Sequence, residues 1–135
     1  MPHIDFKNDL PGIRSAMAYS PQTAKPLNEL AEILLRSDEG LSRSDRELIA
    51  TYVSYLNDCF YCHNSHGEIA CIYLDGDRDL VQQVRHDYRS ADIPDKLKSL
   101  LNIAGKVQQS GKAVSETDVA HARACGATDK DIHDT

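Results

Sequence analysis

The chain has 135 residues, of which 41% are hydrophobic and 27% are charged, and its formal net charge is −6. These values predict one soluble globular domain over residues 1–135 and argue against nucleic acid or an anionic membrane as the main partner. No apolar run approaches the roughly 20 residues of a transmembrane helix. The first nine residues carry acids and lack the apolar segment of a signal peptide, so we expect a cytoplasmic protein.

The N-terminal quarter predicts an arm followed by two helices. Residues 1–9 are expected to be extended, and Asp9 is the expected N-cap of a first short helix. Ser20 and Pro21 then open a second helix, in which leucine and isoleucine recur at helical spacing as far as Arg36.

A third helix carries the first candidate functional residue, Glu47. Ser42 and Asp45 resemble a capping box at its start, and its apolar stripe continues to about Leu56. The residues opposite this stripe are mostly small, so we expect the helix to be packed on both faces. A two-residue break at 57–58 ends it.

The fourth helix brings two thiols and an imidazole onto one face. Cys59, Cys62 and His66 stand at i, i+3 and i+7, which is helical spacing. Asn57 or Asp58 is the expected N-cap, which places Cys59 in the first turn, where the helix dipole favours a thiolate.

The same spacing supports redox chemistry. Cα atoms at i and i+3 of a helix are roughly 5 Å apart, a distance that a disulfide can bridge. His66 follows Cys62 by four residues and can exchange a proton with it. If the third and fourth helices fold back on each other, Glu47 comes level with His66 and can orient it.

The remaining helices are predicted from caps and apolar periodicity, and no segment has strand periodicity, so the predicted class is all-α. The predicted spans are Asp77 to about Tyr88, Pro94 to Gly111, and Ser115 to Gly126, the last opening with a capping box to Asp118. Thr128 begins an eighth helix without a body, so the tail is expected either to fray or to continue in a longer chain.

Other functions for the Cys-x-x-Cys pair remain open at this stage. With His63 the pair forms a haem-attachment motif, which requires export. A zinc ion would need a fourth ligand besides Cys59, Cys62 and His66, and the candidates are Glu47, His121 and Cys125. The third alternative is a purely structural protein in which the dithiol has no chemical role. Cys71 and Cys125 are expected to be structural, and the absence of an export signal favours a reducing compartment.

Residues 41–54 and 57–66 together resemble the alkylhydroperoxidase D and carboxymuconolactone decarboxylase superfamily. The shared pattern is a Glu, a Cys-x-x-Cys twelve residues later, and a His four residues after the second Cys. It matches here at Glu47, Cys59, Cys62 and His66. Residues 8–13, Asn-Asp-Leu-Pro-Gly-Ile, resemble the peroxidase-related subgroup.

The resemblance implies an all-helical AhpD-like bundle, assembly into homo-oligomers, and reduction of a hydroperoxide by a relay of these four residues. An external dithiol would restore the thiols, and no organic cofactor or metal is implied. The resemblance favours Cys62 as the attacking thiol, whereas the helix dipole favours Cys59. A non-redox enzyme of the carboxymuconolactone decarboxylase type is the alternative, although such enzymes need not keep both cysteines.

Two departures from the family pattern are visible. The best-studied alkylhydroperoxidases carry a further His between the two cysteines, where this chain has Tyr61. The family also usually has another helix after the point that corresponds to Thr135.

Overall fold

A computed structural model describes residues 3–135, and within that range the chain is helical with no strand, which confirms the all-α class. A short 3-10 turn at Gly111–Ala113 was not predicted. The helices are α1 Ile13–Tyr19, α2 Pro21–Arg36, α3 Arg43–Leu56, α4 Phe60–Tyr73, α5 Arg78–Asp87, α6 Asp95–Gln109, α7 Glu116–Ala124 and α8 Asp129–Asp134. Within residues 3–135, none of these helices has both the length and the apolar character needed to cross a bilayer.

The core surrounds α3, which packs against α2, α4, α5 and α6. Leu48 and Ile49 are buried on one side of α3, and Glu47 and Thr51 are buried as well. The prediction that this helix is packed on both faces is therefore confirmed. Because Glu47 is held inside the protein, its carboxylate must find a partner there.

Several helix starts lie where the sequence predicts them. Ser42 accepts a hydrogen bond from the backbone N–H of Asp45, and Asp77 accepts one from Leu80. The capping boxes that begin at Ser115 and Thr128 are both complete. Short side chains placed just before an apolar stripe satisfy the free N–H groups of the first turn, so these boundaries depend on local sequence.

The start of α1 differs from the prediction. Gly12, not Asp9, is its N-cap, and no side chain caps it. Asn8 organises the arm instead, since its amide donates to the backbone carbonyls of Phe6 and Ser15. The expected extended arm is also wrong within residues 3–9, where the chain bends. Residues 1 and 2 of that expected arm lie outside the described residues.

The C-terminal helix α8 is docked, so the alternative that the tail frays is wrong. Asp131 is 1% exposed and its carboxylate lies 2.8 Å from Lys96 Nζ of α6. On the other side, the buried guanidinium of Arg46 donates to the carbonyl of Leu34 at 2.7 Å and to the carboxylate of Asp134 at 3.1 Å. Arg46 thus ties α2, α3 and α8 together.

Asp134→Asn tests this tie. His133, Lys130 and Arg46 hydrogen-bond the carboxylate and lower the pKa of Asp134 from 3.8 to about 2. A lowered folded-state pKa stabilises the protein above the unfolded value, and the gain disappears as the pH falls through the folded value. We expect Asp134→Asn to cost about 2 kcal/mol of unfolding free energy at neutral pH, and the difference to vanish between about pH 4 and pH 2.

Urea unfolding at each pH measures both quantities. Asp129→Asn is the matched control. Asp129 lies on α8, as Asp134 does, but its carboxylate is exposed and pairs with Arg123 of α7. It should cost less than about 0.5 kcal/mol. Equal losses in the two variants would show that the Arg46 contact does not anchor α8.

Candidate active site

The α3–α4 hairpin places Glu47 beside His66. Glu47 Oε2 lies 2.7 Å from His66 Nδ1, and the two side chains are 2% and 27% exposed. An ionised carboxylate only accepts hydrogen bonds, so Nδ1 carries the proton in this contact. This leaves Nε2 as the imidazole nitrogen that can take up or release a proton.

Cys59 and Cys62 form a disulfide at the start of α4, with their Cα atoms 5.3 Å apart. The expected N-cap is wrong, because Cys59 itself occupies that position and its Sγ accepts from the backbone N–H of Cys62 at 3.3 Å. Asn57 instead caps the end of α3, and Asp58 has φ +54°. Asn57 and Asp58 form the chain reversal between α3 and α4, and Cys59 therefore precedes the first turn of α4.

Cys62 and His66 line an open groove of ≈ 390 Å³. Its remaining walls come mainly from apolar side chains of α1 and α2, namely Ile13, Met17, Leu27, Leu30, Ala31, Leu34 and Leu35, with Ser54 of α3. Cys59 is not part of this lining. The two sulfurs are thus distinguished, since only Cys62 shares an apolar groove with the imidazole.

Sequence reasoning missed a contact between Gly12, at the start of α1, and Tyr61 of α4. A side chain at Gly12 would place its Cβ 2.6 Å from Cγ and 2.9 Å from Cβ of Tyr61. The N-cap of α1 therefore lies directly on the residue that stands between the two cysteines. Residues 8–13 carried a signal only through their family resemblance, and nothing local pointed to Tyr61.

The other chemically active side chains lie outside the groove. Arg85 donates to the carbonyl of His63 at 3.4 Å, and burial followed by the Arg85 charge lowers the pKa of His63, which favours its neutral form. Cys71 and Cys125 are free thiols, and Cys125 lies 3.7 Å from His121 on α7. Within residues 3–135, no three His, Cys, Asp or Glu side chains are grouped to hold a metal ion.

The fold and the site together define the class of this protein. It is an all-helical protein with a thiol–disulfide site, in which a Cys-x-x-Cys disulfide lies next to a His–Glu pair. Residues 21–71, which span α2 to α4 and include all four candidate residues, match the model of the carboxymuconolactone decarboxylase family. No curated protein sequence matches the chain significantly.

Two solved structures share the fold. One is the alkylhydroperoxidase AhpD core of an uncharacterized peroxidase-related protein from Ralstonia eutropha JMP134, with a TM-score of 0.82 and 32% identity over 90% of this chain and 64% of that one. The other is an uncharacterized peroxidase-related protein from Silicibacter sp. TM1040, with a TM-score of 0.80 and 30% identity over 90% of this chain and 63% of that one.

The family match and both structures support the AhpD-like carboxymuconolactone decarboxylase superfamily, which the sequence pattern predicts. The chain spans less than two thirds of the length of either solved structure.

Gly12→Ala tests the contact with Tyr61. The new methyl would meet the tyrosine, and φ +57° is already strained for any residue with a Cβ. We expect hydrogen exchange of the amides of α1 to show opening that is easier by about 2 kcal/mol or more.

Gly76→Ala is the matched control, because φ there is +93° but nothing lies within 4 Å of the new Cβ. It should cost about 1 kcal/mol through strain alone and leave exchange in α1 unchanged. The double variant Gly12→Ala, Tyr61→Ala should recover part of the loss. If Gly12→Ala behaves like Gly76→Ala, the N-cap of α1 does not pack on Tyr61.

Proposed function

We propose that this chain is a thiol-dependent peroxidase that reduces hydroperoxides through the Cys59–Cys62 pair. The observation that carries the proposal is the 2.7 Å contact between Glu47 and His66 beside a groove that His66 shares with Cys62. A base oriented by a buried carboxylate and close to a thiol is the arrangement that activates a cysteine nucleophile. The match to the family model and the peroxidase-related description of both solved structures support the same function.

The first step takes place in the reduced protein. Cys62 gives its thiol proton to Nε2 of His66, and the thiolate attacks the outer oxygen of the hydroperoxide. The S–O bond forms as the O–O bond breaks, and the leaving oxygen takes the proton from His66 and departs as an alcohol, or as water if the substrate is hydrogen peroxide. Glu47 stabilises the imidazolium that exists between the two proton transfers.

The second step restores the disulfide. The sulfur of Cys59 attacks the sulfenic acid on Cys62, the S–S bond forms, and hydroxide leaves with the Cys59 proton as water. The backbone N–H of Cys62 supports negative charge on Cys59 Sγ, which suits a resolving thiolate. An external dithiol then reduces the disulfide by thiol exchange and is itself oxidised. The cycle therefore fits a reducing compartment such as the cytoplasm.

The groove indicates the shape of substrate that Cys62 would meet. Seven of its ten lining side chains are apolar residues of α1 and α2. An organic hydroperoxide would bury its apolar part against them and gain the free energy of removing that surface from water. Hydrogen peroxide has no such part, so we expect organic hydroperoxides to have the lower KM.

Assembly into homo-oligomers is part of the proposal. α2 buries only Ala24, and Leu30 and Ile33 are 51% and 64% exposed. A contiguous apolar helix face of this kind is typical of a surface that a second copy covers. Light scattering should give more than one chain per particle, and Ile33→Glu should lower that mass. A wild-type monomer at micromolar concentration would refute the assembly.

A non-redox enzyme of the carboxymuconolactone decarboxylase type is the alternative on this fold. Such an enzyme has no use for a Cys59–Cys62 disulfide, which is why we favour the peroxidase. The alternative predicts that the wild-type protein does not consume hydroperoxide when a dithiol is supplied.

Cysteine substitutions test the thiol mechanism with an organic hydroperoxide and dithiothreitol. Cys62→Ser should lose activity on the order of 1000-fold or more, because the attacking atom is gone. The reduced Cys59→Ser variant, freed of dithiothreitol because that dithiol would itself reduce a sulfenic acid, should consume one equivalent of hydroperoxide and stop with a sulfenic acid on Cys62, which dimedone traps for mass spectrometry.

Cys125→Ser is the control, because this thiol is free and partly buried away from the groove. It should retain wild-type turnover. If both Cys59→Ser and Cys62→Ser keep full activity, the thiol mechanism is wrong. A sulfenic acid on Cys59 in the Cys62→Ser variant would reverse the assigned roles of the two cysteines.

Glu47→Gln tests the role of the buried carboxylate. Glutamine can still hydrogen-bond His66 but carries no charge to stabilise the imidazolium, so we expect kcat/KM to fall by about 100-fold. Glu68→Gln is the control, since this glutamate lies on α4 and pairs with Arg78 at the surface. Stopped-flow consumption of hydroperoxide measures both. Equal activity in Glu47→Gln and wild type would show that the negative charge of Glu47 is not needed to stabilise the imidazolium of His66.

A further inference from the structure

A second pocket, of ≈ 310 Å³, lies where the end of α5 meets α6 and α7. None of its lining residues belongs to the groove of Cys62 and His66. The lining is polar or cationic throughout and consists of Tyr88, Arg89, Lys98, Ser99, Asn102 and His121. The lining contains no acidic side chain, although the formal net charge of the chain is −6.

Arg89 and Lys98, the two cations of this pocket, have no counter-ion in the described part of the chain. Within residues 3–135, neither Arg89 nor Lys98 forms an ion pair with a carboxylate, whereas Lys96 and Lys106 of the same helix pair with Asp131 and Asp118 respectively. No carboxylate lines the pocket. An anion that entered it would therefore meet two positive charges without an internal competitor.

The carboxylate that hydrogen-bonds a lining residue is already paired with a lysine. Asp118 accepts from the amide of Asn102 at 3.0 Å and from Lys106 Nζ at 2.7 Å. Lys106 and then Ser115 hold the pKa of Asp118 well below its usual range, so it stays ionised in that pair. Its charge is satisfied by Lys106 and does not cancel Arg89 or Lys98.

Tyr88 adds a hydroxyl donor inside the pocket. The residue is 4% exposed, and its ring packs edge-on against Tyr52, with the two ring centroids 5.1 Å apart. The guanidinium carbon of Arg89 lies over the Tyr88 ring, 4.9 Å from its centroid. No hydrogen-bond partner for the hydroxyl is present in the part of the chain that the structure describes. The fully buried polar atoms without a partner in that part of the chain do not include this hydroxyl, so it is open to solvent and free to donate to a ligand in the pocket.

We propose that this pocket binds an oxyanion, the phosphoryl or carboxylate group of a small molecule. Arg89 provides a planar fork for two anion oxygens, Lys98 provides a mobile ammonium, and the Tyr88 hydroxyl donates a third hydrogen bond. The Ser99 hydroxyl is not a donor to the ligand, since it donates to the carbonyl of Lys96 at 2.6 Å. His121 adds further positive charge when it is protonated.

Titration calorimetry tests the proposal with inorganic phosphate and with acetate, each compared with chloride at the same ionic strength and pH. Wild-type protein should bind one oxyanion per chain saturably. The variant Arg89→Gln, Lys98→Gln should weaken that binding by at least about tenfold, and Tyr88→Phe should weaken it less while keeping the packing against Tyr52. Phosphate binding without acetate binding would assign the phosphoryl class, and the reverse would assign the carboxylate class.

Lys112→Gln is the control for overall charge, because Lys112 lies in the exposed 3-10 turn and forms no ion pair within residues 3–135. It should leave affinity unchanged. The proposal is overturned if neither anion binds saturably, if the double variant binds as tightly as wild type, or if Lys112→Gln weakens binding equally. The last result would mean that only the general field of the protein attracts anions.

Discussion

The hydrogen bond between Glu47 and His66 determines how α3 and α4 pack against each other, and the rest of the site depends on that packing. A carboxylate that is 2% exposed is costly unless it is paired, and its partner comes from the next helix. The pair therefore requires α3 and α4 to lie side by side with Glu47 and His66 level. The same register carries Cys62, one turn before His66, to the groove, so the contact that satisfies the buried charge also positions the thiol.

Arg46, adjacent in sequence, fixes the other side of α3. Its guanidinium lies beneath the surface and donates to the carbonyl of Leu34 and to Asp134, so the ends of α2 and α8 are held against the start of α3. α2 supplies most of the apolar wall that faces Cys62. The two consecutive buried charges therefore have different structural roles. Glu47 orients the imidazole of His66, and Arg46 holds α2, which forms the wall of the groove.

The two cysteines occupy different environments although they are three residues apart. Cys59 lies outside the first turn and accepts a backbone N–H, whereas Cys62 belongs to the helix and faces apolar side chains. Their disulfide crosses from the cap to the groove. This asymmetry gives each sulfur a separate part in the proposed cycle, because a capped thiolate is a good resolving and leaving group while the groove sulfur meets the substrate.

The sequence by itself determined the helical class, most helix boundaries and the spacing of the Cys-x-x-Cys pair, whose Cα separation of 5.3 Å agrees with the value of roughly 5 Å for helical i and i+3 positions. These features depend on residues that are neighbours in sequence, such as Thr128 and Asp131. Only the tertiary structure decided that Cys59 is the cap, that Gly12 lies on Tyr61, and that a polar pocket forms near Lys98. Those features depend on where helices cross and how the chain reverses between them, and no local pattern of residues encodes such distances.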